Sequence, residues 1–216
     1  DTKAPEGFVD LKSLMENEPV TNPDTTSTIK ASMPFAYVFT SGTTGLPKAS
    51  VQLHYRWIGA GIWFGRIIMD LTPDNTIYIP LPLYHTNGLN VAWSGATSTG
   101  AAIALRRKFS ASNFWKDARK FNATSFIYIG EVCRYLINQP PRENDNENPI
   151  KKMVGNGLRP DIWKSFKKRF NIPNVYELYG AAEGSSVFTN FFNIDCSVGV
   201  SFTPFAIVQY NADDSE

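Results

Sequence analysis

The sequence is poor in the residues that build disulfide scaffolds and metal clusters. Its 216 residues include two cysteines and two histidines. Such small numbers fit neither a disulfide framework nor a zinc cluster, and two histidines cannot form a three-histidine metal site. A reducing, intracellular compartment is therefore the default expectation.

An excess of charge of one sign is also lacking. The 21 lysines and arginines nearly balance the 20 aspartates and glutamates, which leaves a net charge of +1. Proteins that read nucleic acids usually carry a strongly basic face, so this balance argues against a nucleic-acid partner. No run of about 18 apolar residues occurs, so the sequence encodes no membrane span.

Short apolar runs and amphipathic segments alternate from residue 34 onward. Strands are predicted at residues 35–39, 76–80, 101–105, 124–129, 174–178 and 205–210, with the first one buried. Helical patterns lie between most of them, including one that Ser112 would cap. This alternation is typical of βαβ units and predicts an α/β fold with a mixed, largely parallel sheet flanked by helices.

Two polar segments are expected to face water. Residues 140–149 show no periodicity and are predicted to form an exposed loop. The basic run at 164–169 is interpreted as the solvated face of an amphipathic helix, with membrane contact as the alternative. The stripe that carries Trp57 and Phe64 is interpreted as core, with contact to a lipid chain as the alternative.

The densest chemical signal is the run TSGTTGLPK at residues 40–48. It combines four hydroxyl side chains, two glycines and a lysine between a predicted strand and a predicted helix. Glycines let backbone N–H groups approach an anion, and hydroxyls and an ammonium group add donors and charge. The run predicts a site for the polyphosphate of a nucleoside triphosphate; the alternative is a solvated turn with an incidental lysine.

Three stretches carry a resemblance to a known family. YVFTSGTTGLPKAS resembles the signature of the adenylate-forming (AMP-binding) superfamily. FSASNFWKDARKFNATSFIYIGEVCRYLINQPPR and GNGLRPDIWKSFKKRFNIPNVYELYGAAEG are similar to the fatty acid transport protein / very-long-chain acyl-CoA synthetase family. The resemblance implies that residues 34–216 are a central fragment of the large N-terminal AMP-binding domain, after a lead-in segment at 1–33.

The resemblance also implies a reaction. ATP and a long- or very-long-chain fatty acid would form acyl-AMP and pyrophosphate with the help of Mg²⁺, and the thiol of coenzyme A would then displace AMP. The implied partners are fatty acid, ATP and coenzyme A. The alternative is a fatty acid uptake or binding protein with weak or no ligase activity.

Site residues follow from the same resemblance, position by position. His85 and Glu183 match catalytic positions, and Glu183 also matches the magnesium ligand. The positions that match nucleotide-binding residues are Thr40, Ser41, Gly42, Thr43, Thr44, Gly45, Lys48, Gly155, Asn156, Gly157, Tyr179, Gly180 and Ala182. A structural hydrogen-bonding role remains the alternative for His85, and the buried carboxylate expected at Glu177 stays unassigned.

The sequence departs from the family pattern at one position of the motif. Ala182 stands where the family usually has a threonine whose hydroxyl would bind the α-phosphate. A hydrogen bond to a charged oxygen contributes roughly 1.5–3 kcal/mol, so slower adenylation is expected rather than none.

Other parts of the family pattern do not occur in these residues. The Thr-Gly-Asp segment, the hinge and the C-terminal lid domain with its catalytic lysine are missing, so both ends are interpreted as cuts and this chain alone is not expected to complete catalysis. Any membrane association would come from segments outside the chain. The expected location is intracellular and membrane-associated, at the endoplasmic reticulum, the peroxisome or the plasma membrane.

Overall fold

The computed structural model describes residues 4–40, 46–184 and 186–206. Up to residue 33 the chain is exposed, apart from half-buried Ala4, and forms one short α-helix, α1 (Leu11–Met15), and one 3-10 helix (Asp24–Thr28). In the described part of the chain, no helix has both the length and the hydrophobicity needed to cross a membrane.

A separate antiparallel hairpin follows. Strand β1 (Pro34–Thr40) pairs with β2 (Lys48–Leu53), and Thr40 lies opposite Lys48 at the end where the chain connects the two strands. The strand predicted at residues 35–39 is confirmed as β1, but the prediction that it is buried was wrong. The sequence did not predict β2, and the helix expected after the loop begins only at His54. Only Val38 of β1 is buried, and Phe39 remains 68% exposed. In β2 the buried side chains are Ser50 and Gln52, so the usual alternation is inverted.

The main sheet has six strands in the order β4-β3-β5-β6-β7-β8. Strands β3 to β7 are parallel, and only β8 runs antiparallel to its neighbour. Their bounds are β3 (Thr76–Ile79), β4 (Ala102–Leu105), β5 (Ser125–Ile129), β6 (Lys152–Asn156), β7 (Asn174–Tyr179) and β8 (Phe188–Thr189). The predicted α/β fold with a mixed, largely parallel sheet is confirmed.

Helical segments connect the parallel strands. They are α2 (His54–Ala60), a π-helical segment (Gly61–Ile68), a second π-helical segment (Asn87–Trp93), α3 (Ser94–Thr99), α4 (Phe114–Lys120), α5 (Gly130–Ile137) and α6 (Pro160–Phe170). Helix α4 begins at Phe114 with Asn113 as N-cap, so the predicted cap at Ser112 was wrong. The Ser112 hydroxyl contacts Ser110 instead.

The core lies around the central strands. Ile77, Phe126, Ile127 and Val154 are fully buried, as expected for parallel strands covered on both faces. Phe114 of α4 packs edge-on against Phe126, with 5.0 Å between ring centroids. This packing fixes the strands that carry the functional loops.

Two surface predictions need correction. The 140–149 segment is a loop, but Asp145 and Asn148 in it are buried. Asp145 pairs with Arg169 of α6 at 2.7 Å, and Lys167 of α6 pairs with Asp195 at 2.6 Å. The basic run is therefore partly used in tertiary contacts, because long cationic side chains can cover and tie down neighbouring loops.

The last predicted strand also differs. Phe205 and Ala206 are not in a strand, and residues 207–210 lie outside the described residues. The final strand of the sheet is β8, two residues long, for which the sequence showed no signal.

Candidate active site

The order of the strands creates a crevice at the carboxyl edge of the sheet. From β3 the chain moves outward to β4 and then returns to β5 on the other side of β3. In open α/β sheets, ligands bind at such a reversal, outside the carboxyl ends of the strands. The segment after β3 carries His85 and Asn87, the turn after β6 carries Gly157, and the loop after β7 carries Glu183.

One short hydrogen bond joins the end of β1 to the loop after β7. The Thr40 hydroxyl donates to Oε1 of Glu183 at 2.6 Å, across 143 residues of sequence. This bond, the backbone N–H of Glu183 and the charge of Lys48 lower the pKa of the Glu183 carboxyl. The carboxylate is exposed and stays ionised to lower pH than an isolated glutamate. Ser41, Gly42, Thr43, Thr44 and Gly45, which the sequence predicted as phosphate-binding residues, lie outside the described residues.

Three donors converge on one carbonyl in the same loop. The Ala182 carbonyl oxygen accepts hydrogen bonds from Ser50 Oγ at 2.9 Å, Gln52 Nε2 at 3.1 Å and Arg56 Nη2 at 3.3 Å. Arg56 Nη2 also donates to the Gly184 carbonyl at 2.7 Å. Sequence reasoning missed these residues. The only available signal was the polar pair Ser50 and Gln52 on alternate positions of a segment interpreted as loop and helix.

Amide side chains extend this network toward the sheet. Asn90 Nδ2 donates to Gln52 Oε1 at 2.8 Å, and Asn87 Nδ2 donates to Asn156 Oδ1 at 2.6 Å. The Asn87 backbone N–H donates to His85 Nδ1 at 3.3 Å, so a neutral His85 ring carries its proton on Nε2. The buried Oδ1 of Asn90 has no partner among the described residues and lies at a cavity wall.

The Gly155-Asn156-Gly157 turn has a structural basis of its own. A Cβ on Gly155 would overlap the carbonyl of Tyr128 on the neighbouring strand, and Gly157 has a φ of 80°. Both positions therefore require glycine whatever they bind. Their conformation presents the Asn156 amide to the crevice, where Asn87 holds it.

The buried Glu177 side chain holds the Gly155–Gly157 turn through hydrogen bonds. Its carboxylate accepts hydrogen bonds from the backbone N–H groups of Gly157 and Leu158 and from the Tyr128 hydroxyl, the last at 2.5 Å. Burial raises the pKa of Glu177, although these three donors oppose the effect. The carboxylate that the sequence left unassigned is thus a buried support of the turn that carries the predicted nucleotide-binding residues Gly155, Asn156 and Gly157.

Tyr179 and Gly180 mark the end of β7. The Tyr179 ring is 68% exposed and lies edge-on to Phe188 of β8, with 6.3 Å between centroids. An exposed aromatic face beside the Gly155–Gly157 turn is available for stacking on a planar base. Gly180 lines the adjacent cavity.

A cavity of about 330 Å³ opens beside the network. Its polar wall includes Gln52, Arg56, Asn87 and Asn90. Its apolar wall consists of Trp63, Phe64, Val91, Leu178 and Val187, together with small residues of α2 and of the loop after β7. The volume lies within the range of small-molecule sites in proteins.

Glu183 is the carboxylate of this site that could bind a magnesium ion. Among the residues that the structure describes, no group of three histidine, cysteine, aspartate or glutamate side chains could hold a metal. The ionised Glu183 beside Thr40 nevertheless fits a Mg²⁺ ion that takes its other ligands from substrate phosphates and water, which is how this ion usually binds.

The structure thus brings together several of the predicted residues. Thr40 and Glu183 are in direct contact, Lys48 acts on Glu183 through its charge, and Asn156 joins the network through Asn87. His85 is exposed and does not line the 330 Å³ cavity, although the next two residues, Thr86 and Asn87, do.

Comparison with protein families decides the class. Residues 3–209 match the family described as AMP-binding enzyme. The chain belongs to this family. The superfamily expected from the TSGTTGLPK run is therefore confirmed.

Relatives agree with the predicted branch. The chain is 45% identical over 207 residues to the Medium/long-chain-fatty-acid–CoA ligase FadD6 of Mycobacterium tuberculosis, which covers 96% of the chain and 35% of the relative. It is 43% identical over 225 residues to the Long-chain fatty acid transport protein 6 of Mus musculus, covering 98% of the chain and 35% of the relative. The chain thus spans about a third of the length of these relatives.

Solved structures share the fold at lower identity. The anthranilate CoA ligase AuaEII in complex with anthranoyl-AMP superposes with a TM-score of 0.80 over 93% of the chain and 40% of its own, at 17% identity. ATP-bound MatB from Rhodopseudomonas palustris gives a TM-score of 0.66 over 80% of the chain and 34% of its own, at 22% identity.

Proposed function

We propose that this chain forms the nucleotide-binding part of an enzyme that activates long- or very-long-chain fatty acids. In the first step a carboxylate oxygen of the fatty acid attacks the α-phosphorus of ATP, and the bond to the β-phosphate oxygen breaks to release pyrophosphate. In the second step the thiol of coenzyme A, as its thiolate, attacks the acyl carbonyl carbon, and AMP leaves. The relatives named as fatty acid ligase and fatty acid transport protein support this class of substrate.

One observation carries the proposal: the contact between Thr40 and Glu183 at 2.6 Å. The contact brings Thr40, the first residue of the run at 40–48, to Glu183 in the loop after β7. Thr40 and Lys48 act on Glu183 in the structure, and we propose that they hold the triphosphate together with Ser41, Gly42, Thr43, Thr44 and Gly45. Charge stabilisation and positioning by such groups supply most of the catalysis in reactions at phosphorus.

Glu183 is proposed as the magnesium ligand and as a catalytic residue. A magnesium ion bound there would neutralise charge on the phosphate oxygens. The chain's own contribution is to keep this carboxylate ionised and oriented, through the Thr40 hydroxyl and the charge of Lys48.

The adenosine part of the nucleotide is proposed to bind at the carboxyl ends of β6 and β7. Gly155, Asn156 and Gly157 would line the base, Tyr179 would stack on it, and Gly180 and Ala182 would border the α-phosphate. Asn87 supports this assignment because it holds the Asn156 amide at 2.6 Å. His85 is proposed as a catalytic residue near the acyl group, from its position directly before the cavity-lining pair Thr86 and Asn87.

The cavity beside the network is proposed as the entrance for the fatty acid. Trp63, Phe64 and Val91 offer an apolar wall for methylene groups, while Arg56 gives the opposite wall a positive charge. An apolar wall with a few polar groups is the usual composition of a site for an amphiphilic substrate.

A second candidate is a fatty acid uptake or binding protein with weak or no ligase activity. Ala182 favours it, because this side chain cannot donate a hydrogen bond to the α-phosphate. Membrane association, at the endoplasmic reticulum, peroxisome or plasma membrane, would come from segments outside this chain. Nucleic acid is not a proposed partner, since the charge is balanced at +1.

Exchange of labelled pyrophosphate into ATP tests the first function in the full-length protein that contains this chain. Exchange that needs both a long-chain fatty acid and Mg²⁺, followed by acyl-CoA formation once coenzyme A is added, is the expected result. Fatty acid binding without exchange would favour the second candidate and overturn the first.

A further inference from the structure

Arg56 is a cation without an acidic partner in the described residues. The ion pairs there involve other basic side chains, and Arg56 is half-buried on α2. Its Nη2 group instead donates to the backbone carbonyls of Ala182 and Gly184, at 3.3 Å and 2.7 Å. A half-buried guanidinium that donates to two backbone oxygens restrains the path of the chain at those oxygens.

The two carbonyls flank Glu183. The Ala182 oxygen also accepts from Ser50 and Gln52, and Gln52 is fully buried with its own oxygen bound by Asn90. A carbonyl oxygen has two lone pairs, so three converging donors leave it little freedom. By contrast, the Glu183 side chain is held by one hydroxyl, that of Thr40. The direction of the carboxylate therefore depends on how firmly its two neighbours are anchored.

We infer that Arg56 is a positioning residue for Glu183, acting through the carbonyls of Ala182 and Gly184. This inference rests on the proposed function, because it concerns the carboxylate that would hold magnesium. Arg56 acts here by geometry: the groups that shift the pKa of Glu183 are Thr40, its own backbone N–H and Lys48.

The test measures fatty-acid-dependent pyrophosphate exchange in the full-length protein as a function of Mg²⁺. Arg56→Met keeps an unbranched apolar stem and removes both hydrogen bonds. We expect kcat to fall about 10- to 100-fold, from the strength of charged hydrogen bonds. We also expect the Mg²⁺ concentration for half-maximal rate to rise. Arg56→Lys can reach one carbonyl, so its kcat and its Mg²⁺ requirement should lie between those of the wild type and of Arg56→Met.

Arg66→Met is the matched control. Arg66 also donates to a backbone carbonyl, that of Ser98, with Nε at 2.9 Å, but it lies outside the residues that line the cavity. It should leave the Mg²⁺ dependence unchanged. If Arg56 had a merely structural role, Arg56→Met would lower the melting temperature but would leave the Mg²⁺ concentration for half-maximal rate unchanged.

Arg56→Ala with added guanidinium ion gives a second readout. Recovery of the rate by guanidinium, and not by an equal concentration of sodium, supports the inference. An unchanged Mg²⁺ half-saturation in Arg56→Met and Arg56→Lys, with active wild-type enzyme, would overturn it. Absence of exchange in the wild-type enzyme would instead overturn the proposed function, so the two failures are distinguishable.

Discussion

The β1–β2 hairpin and the parallel sheet hold their functional residues in different ways. In the sheet, Asn156 and Glu177 are carried by strands whose apolar side chains are fully buried, and the turn beside them is fixed by a buried carboxylate. In the hairpin, one apolar side chain of β1 is buried, and Thr40 contacts the rest of the site through Glu183.

The difference predicts which residues of the site contribute mainly to stability and which contribute mainly to activity. Damage to the sheet side should cost folding free energy, because buried donors would lose their partners. Loss of the contact between Thr40 and Glu183 should cost activity at nearly constant stability, because Glu183 is exposed and Thr40 is only half-buried. Five substitutions test this difference.

The largest expected effect on stability comes from Glu177→Ala. It leaves the N–H groups of Gly157 and Leu158 and the Tyr128 hydroxyl without their acceptor. We expect the free energy of unfolding to fall by about 3 kcal/mol, from the cost of unsatisfied buried donors. Urea unfolding of both proteins measures this, and equal midpoints would contradict the role given to Glu177.

Glu177→Gln is the matched control and adds a pH test. Because burial raises the Glu177 pKa, its contribution to stability is greatest below the ordinary glutamate pKa and declines as pH rises through the raised value. Glutamine does not titrate, so the variant should lose this decline. Relative to wild type it should be more stable at high pH than at low pH, measured by unfolding across the range.

At the contact between the hairpin and the loop after β7, Glu183→Gln should lower activity. The amide keeps an acceptor for Thr40 but removes the charge proposed to hold magnesium. We expect pyrophosphate exchange to fall about 100-fold, typical for loss of a charge-stabilising group, at an unchanged melting temperature. Glu131→Gln, at an exposed glutamate paired with Arg134, is the control. Equal rates in both variants would remove Glu183 from the mechanism.

Ala182→Thr should act in the opposite direction. A hydroxyl at this position would add a donor for the α-phosphate, and the rate of adenylation should rise about 10-fold. The carbonyl of residue 182 stays anchored by Ser50, Gln52 and Arg56, so the backbone need not move. Single-turnover formation of acyl-AMP measures the change, and an unchanged rate would refute the interpretation of Ala182.

The smallest effect is expected from Thr40→Val. Removal of the hydroxyl takes away the main cause of the lowered Glu183 pKa, so that pKa should rise toward its ordinary value. The acid limb of the kcat/KM profile should then move to higher pH, while the rate at neutral pH changes little. Thr40→Ser keeps the hydroxyl and should keep the wild-type profile; coincident profiles for all three proteins would count against the contact.

Much of the parallel sheet could be predicted from the sequence. Runs such as Thr76–Ile79 and Ser125–Ile129 are short, apolar and rich in β-branched and aromatic residues, and each is a strand. Strand β1 was predicted, but β2 was missed because it buries Ser50 and Gln52 and exposes Val51. Polar residues that face a site give the same local pattern as a solvated loop or a helix.

The candidate site divides in the same way. The TSGTTGLPK run and the YGAAEG stretch marked Thr40, Tyr179 and Glu183 by resemblance. Arg56, Gln52, Asn87 and Asn90 stayed undetected, since an isolated arginine or amide in a helical pattern is usually a surface residue. Their role depends on donors and acceptors that lie far apart along the chain.

The class of fold and the family are recognisable from the amino-acid sequence, because the hydrophobic period and the glycine- and hydroxyl-rich loop are local properties of the chain. How the loops meet depends on the tertiary structure. The bond between Thr40 and Glu183, the three donors on Ala182 and the support of Gly157 by Glu177 join residues up to 143 positions apart. Such contacts form when strand order brings distant loops to one edge of a sheet, and strand order is a property of the whole folded chain.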